Sequence, residues 1–312
     1  MANVLKNIGK VLGVILAAFV ALLLVGNMVK LLVYTEYFSV SEKLCRNPGL
    51  NDGFVCQGIC VSEEEDIILV SGYMKDKSNS RIYVTDFESN SYYVELTREG
   101  EKYAGHAGGI ALTGDRVYIS NASKLFVFSL RDLLATEAGG KFDIGGGVKV
   151  GCAASFVYAD ENYVYVGEYN DPNDEQKEHI YETPNGTNHS IIERYTHDDL
   201  ENPDKVYSIG DYVQGVCFTP DGRIVFSTSH GFTSTVYYVY DEGEANDSGN
   251  TLRGAPVYYL GECERTLMAP AMGEDLDWYN GRIITLSECA SDKYILGKFF
   301  FDYYVVSLDF GE

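Results

Sequence analysis

The sequence is poor in positive charge, in proline and in tryptophan. Its 312 residues include 24 Lys and Arg against 46 Asp and Glu, with 7 prolines and a single tryptophan, and the formal charge is −22. Nucleic-acid binding through a protein's own surface needs clustered cations, so this class of function is excluded. Hydrophobic residues still make up 46% of the chain, enough for a folded core. The 25 tyrosines and 32 glycines indicate many strands joined by tight turns.

One stretch near the N-terminus lacks charge altogether. Nineteen residues from Val11 to Val29 carry none, and at about 1.5 Å per residue they span roughly 28 Å, close to the hydrocarbon thickness of a bilayer. This run predicts a single transmembrane anchor. A cleavable signal peptide is the alternative, although no small-x-small cleavage site follows the run.

Charges on either side of this run predict its orientation. Lys6 and Lys10 precede it, whereas Glu36 and Glu42 follow soon after Lys30. By the positive-inside rule the N-terminus lies in the cytoplasm, and the residues after about 35 lie outside. We therefore expect a single-pass protein of the cell membrane with an extracytoplasmic domain. The remaining 21 cations and 46 acids give the chain beyond residue 33 a charge of −25.

The seven cysteines contain no CxxC pair, so a structural zinc site is not expected. Their odd number leaves at least one thiol unpaired, and their spacing shows no disulfide framework. We expect mainly buried thiols, and the pairing of individual cysteines is left open. Sequence motifs for dinucleotide binding and for a nucleophile elbow are also missing.

What the chain does contain is a repeat. Five copies of an apolar run, a turn and a second apolar run follow the N-terminal segment. Asp221-Gly222 and Asn280-Gly281 are strong hairpin signals because such pairs supply the positive φ of two-residue turns. The copies are anchored at Gly58, Gly109, Ala154, Gly215 and Glu274, with periods of 51, 45, 61 and 59 residues.

Two further strands complete most copies. Third strands are predicted at Arg81–Phe87, Lys124–Leu130, Ile191–Tyr195, Val236–Tyr240 and Tyr303–Leu308. Fourth strands are predicted at Tyr92–Leu96, near Phe142–Ile144, at Lys205–Ile209 and at Val257–Leu260. Four strands at a period near 50 predict an all-β fold, a β-propeller of four-stranded blades. We count five blades, and six would result if an insertion hides a degenerate copy. A β-sandwich would not explain the repeat.

The last copy runs out of chain after its third strand. A segment near Val33–Val40 is expected to supply the missing outer strand and close the ring, which removes an open sheet edge. The predicted organisation is a cytoplasmic tip and anchor over 1–33, a linker with the ring-closing strand over 34–55, and a propeller over 56–312.

Three motifs carry a resemblance to a known group: Val213–Phe218, His106–Ala111 and Ser287–Tyr294. The chain resembles the broad propeller superfamily that includes the NHL-repeat and gluconolactonase-like (SMP-30-type) proteins. It looks most like a group of uncharacterised secreted or membrane-anchored bacterial propellers, over about residues 46–310. The resemblance implies the fold but brings no activity. The gluconolactonase metal ligands do not match residue by residue.

Polar side chains gather at one end of the predicted propeller. The starts of the first strands and the ends of the second strands ring one mouth of the central channel, with Asp275 adjacent. Convergent polar groups in a concave place are the usual candidate site. The nine candidate ligand-binding residues are Gln57, Tyr73, His106, Asn121, Glu168, Gln214, His230, Glu274 and Glu288.

Three uses of this ring compete. Its side chains would hydrogen-bond neighbouring blades and close the channel, or bind a ligand, or perform chemistry. Glu168, Glu274 and Glu288 would be the ligands if Ca²⁺ is bound. The leading hypothesis is a membrane-anchored propeller that binds a small molecule, a glycan or a protein at its top face. The alternative is a metal-dependent hydrolase, lactonase or lyase of the SMP-30-like type that uses the same ring.

Overall fold

The computed structural model describes residues 2–173, 179–300 and 302–311. The chain begins with helix α1 (Ala2–Val33), followed by the short helix α2 (Thr35–Val40) and strand β1 (Ser41–Arg46). In α1, the segment Lys6–Val33 is long and apolar enough to cross a membrane or to serve as a signal sequence, with a mean hydropathy of 2.7.

The rest of the described chain forms five blades. Blade 1 contains β2 (Phe54–Ser62), β3 (Ile67–Met74), β4 (Arg81–Thr85) and β5 (Ser91–Arg98), with the short β6 (Glu101–Lys102) beside β5. Blade 2 begins with β7 (Gly109–Thr113), β8 (Arg116–Asn121) and β9 (Lys124–Ser129). Helix α3 (Leu130–Leu134), β10 (Lys141–Asp143) and β11 (Val148–Lys149) follow, and β11 pairs with β9.

Blades 3 to 5 repeat the plan. Blade 3 contains β12 (Phe156–Ala159), β13 (Tyr163–Gly167), a hairpin of β14 (Tyr181–Thr183) and β15 (Gly186–Asn188), then β16 (Ser190–Thr196) and β17 (Lys205–Ile209). Blade 4 is formed by β18 (Val213–Phe218), β19 (Arg223–Thr228), β20 (Thr235–Asp241) and β23 (Arg265–Ala269). Between β20 and β23 the chain forms β21 (Asn246–Leu252) and β22 (Ala255–Tyr259), which join the sheet of blade 3. Blade 5 contains β24 (Gly273–Tyr279), β25 (Arg282–Ser287) and β26 (Tyr304–Leu308). Single 3-10 turns lie at Glu242–Glu244 and Gly297–Phe300.

The inner strands β2, β7, β12, β18 and β24 neighbour one another in a closed ring. The fold is therefore a five-bladed β-propeller, as the repeat predicts. Residues that favour tight turns stabilise the hairpins of this fold. Asn280 and Gly281 have φ values of 49° and 77°, the two positive values that a tight hairpin between β24 and β25 requires. Apolar residues on both faces of the strands then form core clusters between adjacent blades.

Two predicted outer strands belong to other blades. The segment near Phe142–Ile144 was expected in blade 2, but β10 pairs in parallel with β5 of blade 1. The segment Val257–Leu260 was expected in blade 4, but β22 pairs in parallel with β17 of blade 3. In both cases the chain leaves its own blade, covers the outer edge of the preceding one, and returns to form the true fourth strand as β11 or β23.

A strand near the N-terminus closes the ring, but this strand begins at Ser41, eight residues after the expected start at Val33. Strand β1 pairs antiparallel with β26 and forms the fourth strand of blade 5. The assignment of Val33–Val40 as the closing strand is wrong. Helical hydrogen bonds continue past α1, from Tyr34 N to Lys30 O and from Phe38 N to Tyr34 O, and buried Tyr37 of α2 joins the core.

All seven cysteines lie in the described part of the chain, and all are free thiols. Six are buried and Cys263 is exposed. The acidic insertion between Asn170 and Asn188 is described except for residues 174–178, which lie outside the described ranges.

Candidate functional site

Three of the five inner strands carry a β-bulge at the same level. The register slips at Gln57 in β2, at Gln214 in β18, and at Glu274 and Asp275 in β24. A bulged residue leaves the ladder, so its side chain is aimed differently from those of its neighbours. Here Gln57, Gln214 and Glu274 all line one cavity of about 350 Å³ at the channel mouth. We call this cavity the top pocket.

The backbone just before each inner strand has positive φ in all five blades. A glycine adopts it in blade 1, where Gly53 has a φ of 78°. In the other blades the left-handed residues are Ala107, Ala154, Tyr212 and Met272, with φ between 49° and 63°. This conformation is costly for residues with a side chain and persists only where the surrounding fold enforces it. Each inner strand is therefore entered through a residue of left-handed conformation, one or two positions before the strand begins.

The channel is filled directly beneath the pocket. The inner strands approach so closely that a Cβ on Gly109 would lie 2.5 Å from Val157 N, and one on Gly215 would lie 2.6 Å from Asp275 Cα. The fully buried Asp275 carboxylate lies between blades, with Oδ2 3.4 Å from the amides of Ile59 and Ile110. Burial raises the pKa of Asp275 well above its usual value. The top pocket is therefore a cup and not the entrance of an open pore.

Two buried carboxyl groups stand on one side of the cup. Burial is the main cause that raises the pKa of both Glu274 and Glu288, and the charge of Glu288 raises that of Glu274 further. Glu288 accepts hydrogen bonds from Gln57 Nε2 at 3.0 Å and from Tyr294 Oη at 2.8 Å. The two glutamates therefore hold protons at pH values where an exposed glutamate is ionised.

An aromatic and basic group forms the next part of the rim. The ring of Tyr73 packs edge-on against His106 with 4.7 Å between centroids, and Lys293 hydrogen-bonds the Tyr73 hydroxyl. Burial lowers the pKa of His106, and the positive charge of Lys293 lowers it further. The imidazole of His106 is thus held neutral. Its backbone amide donates to Asn121 Oδ1 at 3.0 Å.

The remaining predicted residues lie one layer outside the pocket wall. His230 does not line the pocket but contacts Tyr169, which does, with 2.9 Å between Nδ1 and the hydroxyl. Glu168 is buried behind Ala153, whose amide donates to it at 3.2 Å. Its other oxygen lies 2.6 Å from Nδ1 of the buried His179 and accepts from Ile191 N.

The structure thus brings five of the nine predicted residues into the pocket wall: Gln57, His106, Asn121, Gln214 and Glu274. Tyr73, Glu288 and His230 each contact a wall residue or its neighbour, and Glu168 supports the wall from behind. Of the three proposed calcium ligands, Glu168 is engaged by His179 and by two backbone amides. Among the described residues, no group of three or more His, Cys, Asp or Glu side chains is placed to hold a metal ion.

Sequence reasoning did not assign a role to Lys293, Tyr294, Tyr169 or His179. Lys293 and Tyr294 lie in a loop that follows β25, and Tyr169 and His179 lie in a loop that follows β13. The signal that could have found them is positional, since loops after second strands end at the top face. Their side-chain directions depend on loop conformations that no repeat dictates.

Comparison with known proteins shows similarity in fold only. No family model matches the chain, and no curated protein matches it. Among solved structures, it is similar to the PQQ-bound aldose sugar dehydrogenase of Streptomyces coelicolor, with 16% identity, a TM-score of 0.45, and 80% of this chain and 77% of that chain covered.

Two further solved structures show the same level of similarity. One is a putative oxidoreductase (glucose dehydrogenase) from Thermus thermophilus, with 12% identity, a TM-score of 0.43, and 86% and 99% of the two chains covered. The other is BamB from Moraxella catarrhalis, with 9% identity, a TM-score of 0.34, and coverage of 82% and 86%. These values do not transfer an activity to this chain.

Proposed function

We propose that this chain is a membrane-anchored extracytoplasmic propeller that binds a small neutral polar ligand in the top pocket. The observation that carries the proposal is the set of three bulges that aim Gln57, Gln214 and Glu274 into one cup. Bulges recur next to binding sites because they re-aim side chains at the expense of ladder hydrogen bonds. In β24 the same bulge also contains Asp275, which lies between the blades, so one distortion both fills the channel and turns Glu274 toward the pocket.

The chemistry of the wall favours an uncharged ligand rich in hydroxyl or amide groups. The amides of Gln57, Asn121 and Gln214 offer both donors and acceptors, the lowered pKa of His106 favours its neutral form, and the raised pKa of Glu274 favours its uncharged form. Tyr169 adds an aromatic surface at the rim. A saccharide presents hydroxyl groups and apolar C–H faces together, so glycans are the class that we propose.

Anchoring is supported by the apolar length of Lys6–Val33, whose most hydrophobic window is not buried by the fold. The lysines before the span and the acids after it support an extracytoplasmic propeller. We also propose the division into an anchor over 1–33, a linker with the closing strand over 34–55, and a propeller over 56–312. Kinship with the NHL and SMP-30-type propellers remains part of this proposal and is supported by the five-fold repeat.

Ligand binding is tested on the full chain in detergent micelles, with a panel of neutral mono- and oligosaccharides in a thermal-shift assay. Wild-type protein is expected to be stabilised by at least one saccharide class, because a ligand that binds only the folded state raises the midpoint. The double variant Gln57→Ala/Gln214→Ala should lose this shift, since it removes two of the bulged side chains. Asn162→Ala, in the exposed turn after β12, is the matched control and should keep it.

Two outcomes would contradict the proposal. One is an equal ligand-induced shift in wild type and the double variant, which would place binding outside the pocket. The other is the absence of a shift for every saccharide in wild type, which would remove this ligand class.

A further inference from the structure

The most exposed large hydrophobic side chains outside α1 lie at one place. Among the described residues, Phe232, Ile295 and Leu296 are 60%, 71% and 68% exposed. Phe232 lies in the loop after β19, and Ile295 and Leu296 lie in the loop after β25, so both loops emerge at the top face. The ring of Phe232 is 6.1 Å from that of Tyr294. We call Phe232, Ile295, Leu296 and the neighbouring Phe299 the apolar rim.

The apolar rim continues directly into α1. Phe299 packs edge-on against Phe19 with 5.4 Å between ring centroids, and its carbonyl accepts from Asn27 Nδ2 at 3.2 Å. A groove of about 390 Å³ between helix and propeller is lined by Val29 and Val33 of α1 together with Phe232 and Leu296. The groove also contains the Lys30–Asp302 ion pair, with 3.6 Å between Nζ and Oδ1, so helix and loops share one largely apolar surface in which these two charges are paired.

The opposite end of the propeller is acidic and not apolar. Its turns, which connect the first and second strands of the blades, carry exposed acidic residues and no comparable apolar side chain within the described ranges. These acids are Glu63, Glu64, Glu65, Asp66, Asp115, Glu161 and Asp221. An anionic bilayer surface repels such a face and accepts an apolar one, so the two ends of the propeller are not equivalent toward a membrane.

We propose that the apolar rim inserts into the bilayer that α1 spans, so that the propeller rests with its top face on the membrane. The inference relies on the proposed anchor and goes beyond it, because an anchor alone permits any orientation of the domain. The occupant is lipid, since the rim is continuous with helix α1. Large hydrophobic side chains along α1, from Ile8 to Val33, include many that are 43% to 74% exposed, and an apolar environment is needed to cover them.

The same loop connects the membrane surface to the pocket. Tyr294 donates to Glu288, and Lys293 reaches the Tyr73 hydroxyl, whereas the next two residues are Ile295 and Leu296 of the rim. The wall of the top pocket and the membrane-inserted side chains therefore belong to one segment. A ligand that enters the top pocket approaches it from the headgroup layer, which favours a glycan carried on a lipid over one in bulk solution.

The test uses the full chain in nanodiscs of phosphatidylcholine and phosphatidylglycerol, in a Cys263→Ser background that removes the exposed thiol. An NBD fluorophore is attached at Leu296→Cys, at Phe232→Cys in a second protein, and at Glu161→Cys as the control on the opposite face. Doxyl-labelled lipid is expected to quench the first two probes several-fold more than the control. Aqueous iodide is expected to show the opposite order.

Each other outcome overturns the proposal in a distinguishable way. If the protein co-elutes with nanodiscs but iodide quenches the rim probes as strongly as the control, the anchor holds and the rim is free in water. If neither quencher reaches the rim probes, a second copy or another protein covers the rim. If the chain does not enter nanodiscs at all, the proposed anchor fails as well.

Discussion

At the scale of single residues, the top pocket is distinguished by carboxyl groups that keep their protons. For an acid whose pKa is raised by folding, the native state binds more protons than the unfolded state between the two pKa values. Stability is therefore lost as pH rises through that window. Glu274, Asp275 and Glu288 all shift in this direction, and burial raises the pKa of Asp277 to about 7. We expect the propeller to be more stable at pH 5 than at pH 8.

The substitution Glu274→Gln isolates this effect. It replaces the protonated form by a neutral side chain of the same shape, so it should be nearly neutral at pH 5 and stabilising at pH 8. Each unit of raised pKa corresponds to about 1.4 kcal/mol, and in a chain of this size each kcal/mol shifts the melting temperature by about 2–4 °C. Thermal denaturation at the two pH values measures the difference. Glu161→Gln, at the exposed turn after β12, should change neither value.

Gly109→Ala tests the close approach of the inner strands. Its Cβ would lie 2.5 Å from Val157 N and 2.8 Å from Phe156 Cα, which are backbone atoms that cannot rotate away. Overpacking of this kind costs about 1–3 kcal/mol. Gly210→Ala is the matched control, because a Cβ there meets no heavy atom within 4 Å and its φ is not positive. Equal urea midpoints for both variants would show that the blades separate more easily than the contacts imply.

The sequence predicted individual pocket residues best where those residues follow the repeat. Gln57, His106, Gln214 and Glu274 lie near the starts of first strands and Asn121 ends a second strand, and the structure brings these five residues to one pocket. The bulges themselves could not be read from sequence, because they arise from strand pairing around the whole ring. The loop residues Lys293 and Tyr294 obey no repeat and were found only once the backbone was known.

At the scale of elements, the inner and third strands are predictable and the outer ones less so. The inner strands show strong apolar runs because they are buried on both faces. The outer strands β10 and β22 are short, partly exposed, and pair in parallel with a preceding blade, so their partner depends on tertiary geometry. The segment Thr35–Val40 is apolar enough to suit a strand, yet it continues the helical hydrogen bonding of α1.

The ring-closing strand β1 should decide whether the propeller folds. A chain that begins at Tyr34 keeps α2 and β1, whereas a chain that begins at Asn47 leaves β26 as an unpaired edge. We expect the first to yield soluble protein with cooperative unfolding and the second to aggregate or be degraded, because an exposed edge pairs with other chains. Circular dichroism and size-exclusion chromatography provide the comparison. Monomeric, cooperatively folded protein from both chains would show that β1 is dispensable.

At the scale of the whole molecule, the orientation across the membrane is testable with a native reporter. Cys263 is exposed, whereas the other six cysteines are buried. A membrane-impermeant maleimide added to intact cells or spheroplasts should label the wild-type chain and leave Cys263→Ser unlabelled. Labelling that requires membrane permeabilisation would reverse the proposed topology.

Because the first strand pairs with the last one, the ring can close only after the whole chain has been synthesised. Strand β1 leaves the ribosome before any blade exists, yet its partner β26 ends at residue 308. If α1 is held in the membrane and the propeller is exported as we propose, β1 waits beside the bilayer until the entire propeller has been translocated, and the last hairpin then returns to β1. Completion of the fold is thus coupled to complete delivery of the chain, and a truncated product would stay open at the membrane surface, where quality-control proteases reach it.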